Sequence, residues 1–213
     1  MAKVRVKICG ITNWTDAKRA CEAGANFLGF NFYRKSPRYI SPGRAGKIVS
    51  RLPKDVAAVG VFVNESEGSI LEVARRVGLD FVQLHGDETP EFVGHLARRV
   101  RVIKAVRVRK PFRAAELSRF KKASALLLDG FDRRARGGTG KGFDWSIARR
   151  VKRGRRIFLA GGLNPENAAE ASASVRPYAL DVCSGVEAAP GKKDASRLAA
   201  FMRAVGNGKL RKK

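Results

Sequence analysis

The sequence predicts an α/β fold in which the chain forms one compact (β/α)8 barrel, the TIM-barrel architecture. Apolar segments alternate eight times with segments of helical pattern, and most of the connections between them are short. The apolar segments lack the polar alternation of a half-exposed sheet, so helices are expected to cover both faces of the sheet. A right-handed crossover repeated along the whole chain closes into a barrel. An open, doubly wound sheet is the alternative, but no GxGxxG turn follows the first strand.

Strand and helix signals alternate regularly through the first half of the chain. Strands are predicted at 4–9, 27–32, 57–63 and 81–85, and helices at 16–23, from Pro42, at 65–77 and at 90–99. Asn13 or Thr15 is expected to cap the first helix, since either side chain can accept a hydrogen bond from a free backbone amide. Pro42 suits a first helical turn, and Gly78 is expected to end the third helix.

The same alternation continues through the second half of the chain. Strands are predicted at 100–106, 125–129, 156–160 and 179–183, and helices at 111–120, from about 144, at 165–174 and from 194 to about 205. The longest loops follow the second, sixth and eighth strands, which places them all at one end of the barrel. No shift in composition marks a domain boundary, so residues 1–205 are predicted to form one catalytic barrel domain and 206–213 a frayed basic tail.

The composition argues against several classes of protein. The 213 residues are 44% hydrophobic, which suffices for a sizeable core, yet no apolar run approaches the roughly 18 residues of a membrane span. The chain starts directly with a strand and shows no signal-peptide pattern, so a cytoplasmic location is expected. The three cysteines are scattered and the chain has two histidines, so neither a disulfide framework nor a metal site is predicted.

The net charge of +25, with an isoelectric point near 11.0, is the unusual feature of the composition. Such a surface attracts polyanions, and nucleic acid has to be considered as a partner. The basic residues are, however, spread over the outer faces of many predicted helices. They form no single recognition helix, zinc finger or aromatic RNA-binding signature. Most of them are therefore interpreted as a solvated surface, and no specific nucleic-acid partner is expected.

Polar residues stand at the carboxyl ends of the predicted strands, where barrels carry their ligand sites. They are Cys9 after the first strand, Arg38 after the second, Gln83 and His85 in the fourth, Asp129 in the sixth and Asp181 in the eighth. A carboxylate directly after three leucines must be paired or protonated when buried, which favours a functional Asp129 over a loop-bracing one. Cys9 is either a reactive thiol or a small buried side chain. Arg38 suits a carboxylate ligand, whereas Gln83 and His85 could serve only to brace the pocket.

Two glycine-containing turns indicate a bound phosphate. They comprise Gly161 and Gly162 after the seventh strand and Ser184 and Gly185 after the eighth. Backbone N–H groups in such turns, together with a helix N-terminus, bind phosphate in many barrels. A third glycine-rich run, with Gly138, Thr139 and Gly140 at its centre, follows the sixth strand and is expected to form a mobile cover. Its spacing is not that of a Walker motif.

Seven motifs occur in order along nearly the whole chain. They are KICGIT at 7–12, SPRYIS at 36–41, VGVFVN at 59–64, VQLHG at 82–86, GGTGK at 137–141 with FDW at 143–145, AGGLNPEN at 160–167, and DVCSGVE at 181–187 with PGKKD at 190–194. Together they resemble the phosphoribosylanthranilate isomerase family of tryptophan biosynthesis. A match of this length is far more specific than any analogy between barrels.

The resemblance implies an Amadori rearrangement of N-(5-phosphoribosyl)anthranilate to 1-(2-carboxyphenylamino)-1-deoxyribulose 5-phosphate. One acid must protonate the sugar ring oxygen, and one base must remove the proton from C2 of the sugar. By match to the family's motifs, Asp129 is the general acid, Cys9 the general base and Arg38 the ligand of the substrate carboxylate. The two glycine turns would bind the phosphate. Lys7, Gln83, His85 and Asp181 would be supporting residues of the site. The implied partner is a small anionic phosphosugar, bound without a cofactor by a monomer or homodimer.

Two features of this site stay open at the level of the sequence. Cys183 stands where relatives commonly have serine, and its thiol could approach Cys9 because strands eight and one are neighbours in a closed barrel. Lys7 shares a strand face with Cys9, so it either favours a thiolate there or pairs with an interior acid such as Asp181. A sugar-phosphate isomerase of the histidine-biosynthesis type is the alternative enzyme. Such enzymes usually work with paired aspartates, and a cysteine at position 9 argues against one.

Overall fold

The structure of the chain, a computed structural model, describes residues 4–108, 114–130, 148–149 and 154–206. Eight parallel strands form a closed barrel in which each strand pairs with the next along the chain and the eighth returns to the first. The predicted (β/α)8 barrel is therefore confirmed. The strands are β1 (Arg5–Cys9), β2 (Phe27–Asn31), β3 (Ala57–Phe62), β4 (Phe81–Leu84), β5 (Val102–Arg107), β6 (Ala125–Asp129), β7 (Ile157–Ala160) and β8 (Ala179–Val182).

Helices form the outer layer of the barrel. The α-helices that the structure describes with full bounds are α1 (Trp14–Glu22), α2 (Pro42–Val49), α3 (Glu67–Val77), α4 (Pro90–Leu96), α5 (Ala168–Val175) and α6 (Ala195–Ala204). Asn13 caps α1, because its side-chain oxygen accepts a hydrogen bond from the backbone N–H of Asp16 at 2.9 Å. As predicted, α2 begins at Pro42, and Gly78 ends α3 in the left-handed conformation. Within the described part of the chain, no helix is long and apolar enough to cross a membrane.

Alternation along each strand separates an outward layer from an inward one. The outward side chains pack beneath the helices, and Val6, Ile8, Leu28 and Leu126 are among them. The inward side chains near the amino ends of the strands include an aromatic cluster of Phe27, Phe81, Phe158 and Tyr178. This apolar cluster fills one end of the barrel. The polar inward residues are therefore concentrated at the other end, where the strands finish.

The fourth helix ends at Leu96 rather than at 99, and two other helices differ from the prediction for local reasons. The predicted fifth helix is a 3₁₀ helix, Ala114–Phe120, in which the Ser118 hydroxyl donates to a carbonyl three residues earlier at 2.6 Å. Such a bond competes with the α-helical pattern. The predicted seventh helix begins at Ala168 rather than at 165, because the Asn164 side chain accepts hydrogen bonds from two following amides and holds a turn.

The segment after β8 contains elements that the prediction missed. A 3₁₀ turn at Ser184–Val186 leads into an antiparallel hairpin of β9 (Glu187–Ala189) and β10 (Lys192–Lys193). These strands are very short and partly charged, so they carry no apolar run that would mark them in the sequence. The helix predicted from 144 lies outside the described residues, apart from 148–149, which are helical. The tail beyond Gly206 also lies outside them, and the domain boundary at 205 stays a prediction.

Candidate active site

The carboxyl ends of the strands bring most of the predicted site residues together. Gln83, Asp129 and Asp181 each lie two residues beyond an inward apolar residue of the same strand, so their side chains also point into the barrel. Cys9 ends β1 on the strand face that carries Lys7, and Lys7 bonds to Asp181 on the neighbouring strand β8. Residues from four separate strands thus meet at one mouth of the barrel.

The Cys9 thiol lies beside a second thiol and two ammonium groups. Its pKa is held well below the ordinary value of a cysteine: a hydrogen bond with the Cys183 thiol lowers it most, burial opposes this, and Lys7 and Lys193 lower it further. A Cβ on Gly29 of β2 would lie 2.8 Å from the Cys9 sulfur and 3.1 Å from Lys7 Nζ, so a larger residue there would crowd the thiol. The surroundings of Cys9 therefore favour its thiolate, the form that can accept a proton.

Lys7 and Asp181 form an ion pair inside the barrel. Lys7 Nζ lies 2.9 Å from Asp181 Oδ1, and both side chains are almost completely buried. Burial raises the pKa of Asp181 to about 6, although the charge of Lys7 opposes the rise. Burial also disfavours the charge of Lys7, yet attraction to Asp181 and Cys9 raises the pKa of this ammonium group. Lys7 thus combines both of the roles that the sequence left open.

Asp129 contacts His85, which follows β4, and His85 in turn contacts Gln83 of that strand. Asp129 Oδ2 lies 3.2 Å from His85 Nε2, and His85 Nδ1 lies 2.9 Å from the amide nitrogen of Gln83. The Asp129 side chain is 21% exposed, so it is open to the barrel mouth. A Cβ on Gly161, which has a φ of +91°, would lie 3.0 Å from Asp129 Oδ1. The first glycine turn therefore borders the carboxyl group.

Arg38 is engaged by a carboxylate of the protein itself. Its Nε lies 3.0 Å from both carboxylate oxygens of Glu187, and its Nη2 lies 2.6 Å from Oε2. Lys193 Nζ binds the same carboxylate at 2.8 Å. Burial disfavours the charge of Glu187, but hydrogen bonds from Arg38 and Lys193 outweigh it and lower the pKa of this carboxyl. Among the described residues, none accepts a hydrogen bond from Arg38 Nη1, so part of the guanidinium is left for a ligand.

Glu187 and Lys193 were missed by the site prediction, although both lie within quoted motifs. Their side chains are almost completely buried, and they belong to the short hairpin of β9 and β10. An acidic residue and a lysine stand on either side of a Pro-Gly turn in the sequence. This pattern could have predicted a hairpin with two opposite charges on facing strands.

The two glycine turns lie side by side at the mouth. Gly161 and Gly162 follow β7 with left-handed φ values of +91° and +69°, a conformation that favours glycine. A Cβ on Gly185, after β8, would collide with the backbone at Leu163, so the turns are in close contact. In the described part of the chain, no side chain caps the first amides of α5, which begins just beyond the first turn. The Ala168 N–H already bonds to the Asn164 carbonyl at 3.1 Å, and the N–H groups that follow it at a helix start are typical of anion sites.

Part of the predicted site cannot be placed. The cover centred on Gly138, Thr139 and Gly140 lies outside the described residues. Within the described ranges, no group of three His, Cys, Asp or Glu side chains is arranged to hold a metal ion. The described site contains two thiols, carboxyl groups, three cationic side chains, an imidazole, a side-chain amide and backbone amides.

Comparison with known proteins shows which family this chain belongs to. A family model described as N-(5'-phosphoribosyl)anthranilate isomerase matches residues 6–204. The N-(5'-phosphoribosyl)anthranilate isomerase of Trichlorobacter lovleyi is 51% identical over 201 residues, which cover 94% of this chain and 97% of that protein.

Solved structures agree with this result. The crystal structure of phosphoribosyl anthranilate isomerase from Thermotoga maritima is 48% identical with a TM-score of 0.88, and the match covers 95% of this chain and 98% of that one. A phosphoribosyl anthranilate isomerase in complex with reduced 1-(o-carboxyphenylamino)-1-deoxyribulose 5-phosphate is 46% identical with a TM-score of 0.86, at the same coverage. The chain belongs to the N-(5'-phosphoribosyl)anthranilate isomerase family.

Proposed function

We propose that this chain isomerises N-(5'-phosphoribosyl)anthranilate to 1-(2-carboxyphenylamino)-1-deoxyribulose 5-phosphate, a step of tryptophan biosynthesis. The observation that carries the proposal is a thiol of lowered pKa, Cys9, at the same barrel mouth as a partly exposed carboxyl group, Asp129. Aldose–ketose isomerisation needs one base and one acid at a single site. Membership of the family supports the assignment of this particular substrate.

In the proposed reaction, Asp129 donates a proton to the ring oxygen of the sugar. The C1–O bond then breaks and leaves an iminium between C1 and the anthranilate nitrogen. The Cys9 thiolate removes the proton from C2, and the electron pair of that bond forms an enolamine. Tautomerisation returns a proton to C1 and leaves a ketone at C2. The sequence of steps only moves protons and electrons within the substrate, so it requires no redox cofactor.

The two anionic ends of the substrate have separate ligands in this proposal. Arg38 binds the anthranilate carboxylate through the guanidinium N–H groups that Glu187 does not use. Gly161, Gly162, Ser184 and Gly185 bind the phosphate through their backbone amides, which is supported by the contact between the two turns. Gly138, Thr139 and Gly140 are proposed to cover the bound substrate.

Location and assembly are part of the same proposal. We place the enzyme in the cytoplasm, a location supported by the three unpaired cysteines, one of them the base of the reaction. A monomer or a homodimer is proposed, and light scattering coupled to size-exclusion chromatography distinguishes the two.

The test is turnover of N-(5'-phosphoribosyl)anthranilate, whose anthranilate fluorescence is lost on conversion. The wild-type chain should catalyse this loss, and Cys9→Ser should reduce kcat by about 100-fold or more, because a serine hydroxyl is a far poorer base than a thiolate. Cys21→Ser is the matched control, since Cys21 packs against the outer core and not in the barrel mouth. An inactive wild-type chain, or a fully active Cys9→Ser variant, would contradict the proposal.

A further inference from the structure

The Cys183 thiol transfers no proton in the proposed reaction, yet it lies next to the base, Cys9. Strand β8 pairs with β1 in parallel, and the last paired residues are Ile8 and Val182, so Cys9 and Cys183 are the next residues on the two strands. Neighbouring strands run about 4.8 Å apart, and disulfides join residues whose Cα atoms are about 4.4–6.8 Å apart. The two strand ends are therefore spaced as a disulfide requires.

The two side chains meet inside the barrel mouth. Cys9 shares the inward strand face with Lys7, and Cys183 lies two residues beyond the inward Asp181. A hydrogen bond joins the two thiols. A Cβ on Gly10 would lie 3.0 Å from the Cys183 sulfur, so this sulfur lies directly against the residue that follows Cys9. Both cysteines are partly exposed, so a small solute can reach them from the mouth.

The charges at the mouth make Cys9 the more reactive member of the pair. Lys7 and Lys193 favour its thiolate, which is the form that attacks an oxidant. When a thiolate attacks hydrogen peroxide, an S–O bond forms, the O–O bond breaks and hydroxide leaves. Cys9 thereby becomes a sulfenic acid. Its sulfur is oxidised by two electrons, and the peroxide is reduced by the same two electrons.

Oxidation of Cys9 in turn activates Cys183. While Cys9 is a thiolate, its hydrogen bond and its negative charge raise the pKa of Cys183 and keep the proton on this second thiol. A sulfenic acid carries no charge, whereas Lys193, whose Nζ lies 4.0 Å from the Cys183 sulfur, still favours a thiolate there. Cys183 then attacks the Cys9 sulfur. An S–S bond forms, the S–O bond breaks, and the hydroxyl leaves as water with the proton of Cys183.

We propose that Cys9 and Cys183 form a peroxide-sensitive dithiol, in which Cys9 is oxidised first and Cys183 then closes a disulfide that inactivates the base. The disulfide leaves no thiolate to remove a proton, and a reducing dithiol restores both thiols by exchange. Without Cys183, further peroxide would convert Cys9 to a sulfinic acid, which thiols do not reduce. Formation of the disulfide does not depend on the proposed function, whereas the loss of activity rests on it.

The first test counts free thiols, under denaturing conditions, in the full chain after treatment with a small molar excess of hydrogen peroxide at neutral pH. The count should fall from three to one, the mass should fall by two hydrogen atoms, and a peptide should link residues 9 and 183. Cys21 should stay a thiol, because burial raises its pKa to about 11 and leaves little thiolate. Dithiothreitol should return the count to three. A treated chain that keeps three thiols, or that carries a sulfinic acid on Cys9 beside a free Cys183, would overturn the proposal.

The second test removes the second sulfur with Cys183→Ser, which retains a small side chain with a hydrogen-bond donor. In this variant dimedone should trap Cys9 as a sulfenic acid, and more peroxide should produce a sulfinic acid that dithiothreitol does not reverse. The matched control, Cys21→Ser, should form the disulfide and recover its thiols as the wild type does, since Cys21 packs against the outer core. Equal recovery of the Cys9 thiol in Cys183→Ser and in the wild type would contradict the role of Cys183.

Turnover separates this inference from the proposed function. In the wild type, loss of activity on N-(5'-phosphoribosyl)anthranilate should follow the disulfide and should be regained with dithiothreitol. A wild type that is inactive before oxidation would contradict the proposed function, and the thiol count would still decide whether the dithiol exists. A disulfide that forms without loss of turnover would contradict both the inactivation and the assignment of Cys9 as the base.

Discussion

Removal of the Cys183 thiol is expected to raise the pKa of Cys9. The hydrogen bond with Cys183 is the largest favourable influence on the Cys9 thiolate, ahead of the charges of Lys7 and Lys193. Cys183 itself keeps its proton, because its hydrogen bond to Cys9, and then its burial, raise the pKa of this second thiol. Cys183 is therefore the donor, and Cys183→Ala leaves the thiolate with one hydrogen bond fewer.

The size of this effect follows from the type of bond. A hydrogen bond to a charged group is worth about 1.5–3 kcal/mol, and S–H is a weak donor, so the lower end of this range applies. About 1.4 kcal/mol is a tenfold change, so the alkylation rate at a pH where the thiol is mostly protonated should fall about tenfold. Cys183→Ser retains a hydroxyl donor and should keep the low pKa of Cys9.

The rate of alkylation by iodoacetamide as a function of pH measures the thiolate of Cys9. A Cys21→Ser background removes the third thiol, although burial already raises the pKa of Cys21 to about 11. The acidic limb of kcat/KM should also move to higher pH, because the base must be deprotonated to act. The reasoning is refuted if Cys183→Ala leaves both profiles unchanged, or if Cys183→Ser shifts them equally.

Three further predictions concern the surroundings of the thiol. Lys7→Met should lower the free energy of unfolding in urea by about 3–5 kcal/mol, because it leaves Asp181 buried without its partner. Adding Asp181→Leu to this variant should restore much of the lost stability. A loss below about 1 kcal/mol for Lys7→Met would contradict this prediction. Glu187→Gln weakens the hold on Arg38, so steady-state kinetics should show KM raised about tenfold with kcat little changed, and an unchanged KM would argue against the role of Glu187. Gly29→Ala inserts a methyl group 2.8 Å from the thiol sulfur and should lower kcat about 100-fold, whereas near-normal kcat would show that the sulfur has room to move.

The barrel and much of its mouth could be predicted from the sequence because they depend on local patterns. Each strand is a buried apolar run, so its position can be read to within two residues, and Asp129 stands out against the leucines before it. Closure of the barrel then makes β8 the neighbour of β1, which is why the approach of Cys183 to Cys9 and the pairing of Lys7 with Asp181 could be anticipated.

The rest of the site depends on contacts that no local pattern records. Arg38 and Glu187 are 149 positions apart, and their pairing requires a hairpin of very short, partly charged strands. The sequence therefore assigned Arg38 to a substrate carboxylate without revealing the carboxylate that orients it. The contact between the Gln83 amide and the His85 ring could not be predicted from the sequence either, because it depends on how the two side chains are oriented.

The central claim, that a carboxyl group and a thiolate at one barrel mouth share the proton transfers, is tested most directly at Asp129. Asp129→Asn retains the shape of the side chain but has no proton to donate as an acid. In the fluorescence assay with N-(5'-phosphoribosyl)anthranilate, this variant should show kcat reduced by about 100-fold or more, with KM little changed. The control Asp55→Asn changes an exposed residue before β3 and should behave as the wild type. A kcat for Asp129→Asn equal to that of the wild type would contradict the account.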